Sequence, residues 1–178
     1  GTLLMRVGIA GLGKMGAAMA ARLKECGNDI VVWNRSADKA KALAAEGAAV
    51  ASSPSDLAAK CDAVLTILTD AAAIDAVYHG PAGLLAGDVT GKLFIEMSTV
   101  APETQIALAE KVRAKGAAFV ECPVGGTTGP ARQGKLFGLA GGSTADFERA
   151  KPLLEQMCRR VEHVGEVGAG SSMKLAIN

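Results

Sequence analysis

Short apolar runs alternate along this chain with longer amphipathic stretches, regularly enough to predict its elements. Residues 6–10, 30–33, 62–68, 93–97, 117–122, 136–140 and 159–164 read as strands. Several are apolar throughout, as expected of strands covered on both faces of a parallel sheet. Between them, residues 17–24, 38–46, 102–114 and 144–157 read as helices, with Gly47 a plausible stop after the second. No internal repeat or low-complexity linker interrupts the order. Strands alternating with helices imply right-handed crossovers and predict a doubly wound α/β domain with a mostly parallel sheet.

The sharpest local signal lies between the first strand and the first helix. Gly11-Leu12-Gly13-Lys14-Met15-Gly16 follows one and opens the other. A G-x-G-x-x-G in that place, inside a βαβ unit, is the phosphate-binding fingerprint of a Rossmann-type domain. The first glycine permits the tight turn, the second lets a diphosphate approach the backbone, and the third lets helix and strand pack closely. The helix N-terminus presents free N–H groups and a positive dipole end to the phosphates. A glycine turn without a ligand is the competing reading, and the strand–turn–helix context weighs against it.

The end of the second strand bears on which nicotinamide cofactor is held. An NAD-selecting fold places Asp or Glu there for the ribose 2′-hydroxyl. Here the position belongs to Asn34, 18 residues past Gly16. Arg35 can pair with a 2′-phosphate, while Ser36 adds a hydroxyl and Lys39 a second positive charge. Ser36 also suits a helix cap with Arg35 and Lys39 left in water, and capping is compatible with phosphate binding. NADP is therefore expected in preference to NAD.

Composition narrows the class. With 178 residues the chain is long enough for one domain with a sizeable core. Hydrophobic residues make up 49% and aromatics only 3%, so that core must be built from Ala, Val, Leu and Ile. A net charge of +1 gives no electrostatic reason for a nucleic-acid or membrane partner. No apolar run is long enough to span a bilayer, and nothing resembles a signal peptide. Cys26, Cys61, Cys122 and Cys158 are scattered without a C-x-x-C pair. That pattern reads as reduced thiols in the cytoplasm, not as a disulfide frame or a metal site. His79 and His163 read as structural. Residues 1–4, ahead of Met5, read as a foreign leader.

Ligands of doubly wound sheets sit beyond the carboxyl ends of the strands. Thr69-Asp70 and Ser98-Thr99 fall there, and each alone reads as a helix cap. The segment at 123–130 falls there too. It is too rich in glycine and threonine for a mere connection, and its backbone N–H groups and two hydroxyls suit a carboxylate. A flexible surface turn is the alternative.

Together these residues resemble the β-hydroxyacid dehydrogenases, a group that includes 3-hydroxyisobutyrate dehydrogenase, tartronate semialdehyde reductase and the glyoxylate/succinic semialdehyde reductases. The resemblance runs along essentially the whole chain. The family's G-L-G-x-M-G-x-x-M-A-x-x-L matches Gly11 through Leu23, and its M-S-T-x-x-P matches Met97-Ser98-Thr99-Val100-Ala101-Pro102. Its D-A-P-V-S-G-G-x-x-G loop is recognisable in Glu121-Cys122-Pro123-Val124-Gly125-Gly126-Thr127-Thr128-Gly129. Its G-x-G-x-x-x-K-x-x-x-N matches Gly168-Ala169-Gly170 leading to Lys174 and Asn178. The third motif departs from the pattern: Gly125 replaces the family serine, Thr127 replaces a glycine, and Glu121 replaces the aspartate. These changes bear on the substrate more than on the reaction.

The resemblance implies an NADP-dependent interconversion of a small aldehyde- or keto-acid and its hydroxy acid. It assigns Lys174 as general acid/base and Asn178, four residues on along the same helical face, as an orienting residue. Leu68, Thr69, Asp70, Ser98 and Thr99 join the glycine turn around the cofactor, with Ser98 and Thr99 by the nicotinamide. Gly125, Gly126 and Thr127 meet the substrate carboxylate together with Lys174 and Asn178. Family chains continue into an all-helical second domain. This one therefore looks like the dinucleotide-binding domain at 1–170 plus the start of the interdomain helix at 171–178. Such a chain is expected to be weakly active and to self-associate, with a tail beyond Gly170 that is poorly ordered or held by a neighbour. An imine reductase, whose chains usually lack the lysine, and a non-catalytic NADP-binding module are the alternatives.

Overall fold

The computed structural model describes residues 5–177, so residues 1–4, expected above to be a leader, and the expected orienting residue Asn178 lie outside the described residues. The chain runs β1 (Arg6–Ala10), α1 (Lys14–Glu25), β2 (Asp29–Trp33), α2 (Ala37–Ala45), β3 (Ala49–Val50), α3 (Pro54–Lys60), β4 (Ala63–Thr66) and α4 (Ala71–His79). It continues through β5 (Leu93–Glu96), α5 (Pro102–Ala114), β6 (Ala118–Glu121), β7 (Val124–Gly125) and α6 (Thr128–Arg132). It closes with β8 (Leu136–Gly141), α7 (Thr144–Met157), β9 (Cys158–Gly165) and α8 (Ala169–Ile177). The strands form one sheet in the order β3-β2-β1-β4-β5-β6-β8-β7, with β9 also on β8. All pairings from β3 to β6 are parallel. β8 runs antiparallel to β6 and β7 and parallel to β9.

The pleat of each strand divides its side chains between two cores. Val7, Ile9, Ile30, Val32, Leu65 and Ile95 face one side with Met19 and Leu23 of α1, Leu43 of α2 and Leu153 of α7. Val31, Val64 and Phe94 face the other with Leu57 of α3, Tyr78 of α4 and Leu108 of α5. Helices thus cover both faces, and the direction of winding reverses between β1 and β4. That reversal opens a crevice beyond the carboxyl ends of these two strands, where open α/β sheets bind ligands.

The long elements follow the sequence pattern, α7 and α5 to the residue. Five short or ambiguous ones do not: β3, α3, α4, β7 and α6. The 7 residues of α3 are too few to show a period, and α4 is alanine-rich with no clear polar face. Helix α6 begins inside the glycine- and threonine-rich segment at 123–130, for which no helix was expected. The tail is a larger correction. It is helical: α8 begins at Ala169 and packs against β8, β9 and α5, with Gly170 and Ser171 buried and most of the residues beyond them exposed.

Candidate active site

The glycine turn has the geometry its motif requires. Gly11 has φ of 98°, a left-handed conformation that side chains rarely adopt, and a Cβ there would overlap the Ile67 carbonyl. A Cβ on Gly16 would overlap the carbonyl of Gly11, so α1 lies against the turn at a distance only glycine allows. Gly13, the N-cap of α1, has nothing within 4 Å of its Cβ position. The turn is closed on its protein side and open on the side where a diphosphate would meet the α1 N-terminus. Leu12 is buried and Met15 partly buried, which secures the turn to the core.

A cleft of about 910 Å³ opens from this turn. Gly11, Leu12, Gly13, Lys14, Met15, Gly16, Asn34, Arg35, Lys39, Leu68, Thr69, Ser98, Thr99 and Gly126 all line it, so the structure brings together most residues singled out in the sequence. Trp33, Ile67, Ala73, Ala76, Val77, Met97 and Val124 complete its walls. None of these was named as a site residue from the sequence, although Met97 and Val124 lie within motifs quoted there. Trp33, Ile67 and Met97 were legible as residues at or next to the ends of predicted strands, whereas Ala73, Ala76 and Val77 belong to α4.

Two of the expected residues stand aside. Ser36 is exposed at the N-cap of α2, makes no capping hydrogen bond and does not line the cleft. Asp70 caps α4, its Oδ1 accepting from the Ala73 N–H at 2.9 Å. Asn34 is occupied by the backbone around it. Leu12 N–H donates to its Oδ1 at 2.8 Å, and its Nδ2 donates to the Ser36 carbonyl at 3.1 Å. It ties the end of β2 to the glycine turn. Arg35 and Lys39 remain as exposed cations at that end of the cleft.

The opposite end is held by a buried polar network. Glu96, fully buried at the end of β5, accepts from the Ser98 N–H at 2.7 Å, from the Gln105 amide at 3.3 Å and from the Thr66 hydroxyl. Thr66 also hydrogen-bonds the buried Tyr78 hydroxyl at 2.8 Å. Ser98 Oγ in turn accepts from Leu68 N–H at 2.8 Å, joining the two loops that form the cleft walls. Burial pushes the Glu96 carboxyl above its ordinary value, while its hydrogen bonds pull the other way. Ser98 is therefore a wall-to-wall tie, not a helix cap; Ala101 holds the N-cap position of α5 without a side-chain cap.

Lys174 approaches from α8. Its Nζ lies 3.6 Å from where a Cβ on Gly125 would stand. Gly125 sits between Val124 and Gly126, both cleft residues, so the ammonium meets the loop at the edge of the cleft. Thr127 is exposed beside it as the N-cap of α6, its hydroxyl unused by the cap. The residue that the sequence reading undervalued is Glu121. Its carboxylate is fully buried and accepts from Gly168, Gly170 and Ser171 N–H groups and from the Ser171 hydroxyl. Its visible signals were an acid near the end of an apolar strand and its place at the start of the third family motif. Among the described residues no group of three His, Cys, Asp or Glu side chains could hold a metal ion, and no helix is long and apolar enough to cross a membrane.

Sheet order, glycine turn and cleft define a dinucleotide-binding domain. Over residues 6–165 the sequence matches the family described as the NAD binding domain of 6-phosphogluconate dehydrogenase, and the chain belongs to that family. It is 40% identical over 174 residues to glyoxylate/succinic semialdehyde reductase 1 of Arabidopsis thaliana, covering 98% of this chain and 60% of that protein. It is 38% identical over 172 residues to the mitochondrial 3-hydroxyisobutyrate dehydrogenase of Mus musculus, covering 97% of this chain and 51% of that one. Among solved structures, Psf3 in complex with NADP+ and 2-OPP superposes with a TM-score of 0.91 at 33% identity, over 96% of this chain and 61% of that chain. The chain thus spans half to three-fifths of the length of these relatives.

Proposed function

We propose that this chain is the cofactor-binding part of an NADP-dependent oxidoreductase that interconverts a small aldehyde- or keto-acid and its hydroxy acid. The observation that carries the reading is the meeting of two features at one place. The cleft that starts at the glycine turn ends at the 124–126 loop, and Lys174 faces that loop. Bound NADPH would supply the hydride. The residues present fit it: the open face of Gly13 and the free N–H groups of α1 suit the diphosphate, and Arg35 and Lys39 suit a 2′-phosphate, with Asn34 in place of an acid at the end of β2. Ser98 and Thr99 flank the nicotinamide end. The exposed Gly126 and Thr127 offer an N–H and a hydroxyl to a substrate carboxylate, and Lys174 delivers a proton to the developing alkoxide oxygen.

The named relatives act, by their names, on short acids, and one solved neighbour is described with NADP+. In this reading residues 1–170 are the cofactor domain and 171–178 lead toward further structure. The scattered thiols suit a reducing compartment such as the cytoplasm. Lys174 is only partly buried and Thr99, Gly126 and Thr127 are exposed, so water weakens charged contacts at this end. Turnover by the 178-residue chain is expected to be slow, with cofactor binding intact.

Two substitutions test the reading. Lys174→Ala should cut turnover of glyoxylate or succinic semialdehyde by about 10² to 10⁴-fold while NADPH affinity holds. A variant that keeps the parent kcat would remove Lys174 from the proton transfer. Arg35→Asp should abolish or reverse a preference for NADPH over NADH, read by fluorescence titration. Equal affinities for the two cofactors in the unmodified chain would end the NADP assignment. Tight NADPH binding with no turnover of any short aldehyde- or keto-acid would favour a non-catalytic module.

A further inference from the structure

Glu121 sits where the sheet meets the helix that carries Lys174. The carboxylate is fully buried and takes part in no ion pair among the described residues. All four of its hydrogen bonds come from the first turn of α8 and the residue before it. Oε1 accepts from Gly168 N–H at 2.7 Å, Gly170 N–H at 2.7 Å and Ser171 N–H at 3.3 Å. Oε2 accepts from the Ser171 hydroxyl at 2.7 Å. The socket is shaped for it, since a Cβ on Gly141 would overlap Oε1 and one on Gly170 would stand 3.1 Å from it. Negative charge at a helix N-terminus also meets the positive end of the helix dipole.

The same short stretch of chain touches α8 a second time. Past the end of β6, Gly125 comes up against Lys174 Nζ. Ser171 and Lys174 are three residues apart, hence on one side of the helix. The side that Glu121 clamps is the side from which the lysine reaches the loop. We propose that Glu121 is a positioning residue: it sets the height and rotation of α8 and thereby holds the Lys174 ammonium against the 124–126 loop. The proposal rests on the reading of Lys174 as the proton donor.

The test compares Glu121→Gln with Glu121→Asp, and adds Ser171→Ala as a variant that leaves the carboxylate in place. A glutamine oxygen can still accept the three backbone N–H groups, and its amide can donate to Ser171 Oγ. An aspartate is shorter by one carbon–carbon bond, about 1.5 Å, and must drop bonds or drag the helix. Kcat and NADPH affinity are measured for each variant. The rate at which acetic anhydride labels Lys174, relative to Lys24, is followed by peptide mass spectrometry. The expected result for Glu121→Asp is a kcat loss approaching about 10²-fold, unchanged NADPH affinity and an altered Lys174 labelling rate. Glu121→Gln should restore both readouts, and Ser171→Ala should fall between. Parent-like kcat and labelling in Glu121→Asp would overturn the proposal. So would equal losses in Asp and Gln, or a kcat loss matched by lost NADPH affinity, since the last signals a loosened domain. Labelling needs no turnover. If Lys174→Ala leaves kcat intact, the role given to Lys174 fails, while an altered labelling rate still supports the hold of Glu121 on α8.

Discussion

Glu96 shows what a single buried carboxylate does to this fold. Its surroundings supply three donors and no cation, and burial outweighs them in pushing its pKa up from 4.5. The folded chain therefore binds this proton more tightly than the unfolded chain. The stability that follows is fully present below the unfolded carboxylate's pKa and is lost as pH rises through the folded value. Glu96→Gln removes the ionisation and keeps an acceptor for Ser98 N–H. Its stability relative to the parent should rise with pH across that span in urea titrations. Parallel pH–stability curves for the two proteins would contradict this. The cysteines make a second residue-scale case. Burial pushes the thiols of Cys61 and Cys158 up to about 12 and lifts that of Cys122 well above the ordinary thiol value, while Cys26 is exposed. A thiolate-selective disulfide reagent at pH 8 should modify Cys26 alone in the native chain and all four cysteines after denaturation. Fast modification of a second thiol under native conditions would show that one of the buried sites opens.

At the scale of the element, the β1–α1 turn separates folding from binding within six residues. Gly16 is fixed by packing, because a Cβ there overlaps the backbone of Gly11. Gly13 is fixed by nothing in the protein, because its Cβ position is open. Gly16→Ala should lower stability by about 1–3 kcal/mol, the usual cost of overpacking, and weaken cofactor binding with it. Gly13→Ala should leave the melting temperature close to that of the parent yet weaken NADPH binding, because the methyl intrudes on the diphosphate. Calorimetry and fluorescence titration on both variants read the split. A Gly13→Ala chain that binds NADPH like its parent would place the diphosphate elsewhere. Helix α8 is an element of the opposite kind. Its first turn is tied to a side chain 50 residues away, Glu121, and a helix this short depends on such tertiary contacts.

At the scale of the whole molecule, α8 also carries the largest exposed apolar side chains. Met173 is 43%, Leu175 46% and Ile177 63% exposed, and Ile106 of the neighbouring α5 adds 44%. Met173 and Ile177, four residues apart, share one side of the helix and Leu175 stands on another, so apolar side chains ring its exposed end; such exposure favours association in water. We expect the chain to self-associate through the end of α8. Replacing Leu175 and Ile177 by lysine should shift it toward monomer in light scattering without disturbing NADPH binding, because neither residue lines the cleft. A parent chain that stays monomeric at high concentration would refute this.

What the sequence by itself determined is local and periodic. The glycine turn, the alternation of strands and helices, the missing acid at the end of β2 and the motif around Lys174 each lie within one stretch of chain. Turn chemistry and side-chain period can be read from such stretches without knowing what packs above them. The doubly wound, mostly parallel class followed, because a β-α-β succession with right-handed crossovers leaves few arrangements, while the strand order itself came from the structure. Only the tertiary structure decided how the polar side chains are spent. Asn34 was legible as a non-acid at the ribose position, but its tie to Leu12 N–H depends on two loops meeting. Ser98 read as a cap and proved to bridge to Leu68, 30 residues away. Glu96 and Glu121 end apolar strands in register with each other, and nothing in their neighbours along the chain marks either as fully buried. Burial is a property of what other segments place on top of a residue. The cost of removing a carboxylate from water is met for Glu121 entirely by donors 47 to 50 residues away, and for Glu96 by Thr66, 30 residues away, together with the nearer Ser98 and Gln105. Both acids acquired their meaning only when the sheet, α5 and α8 came together.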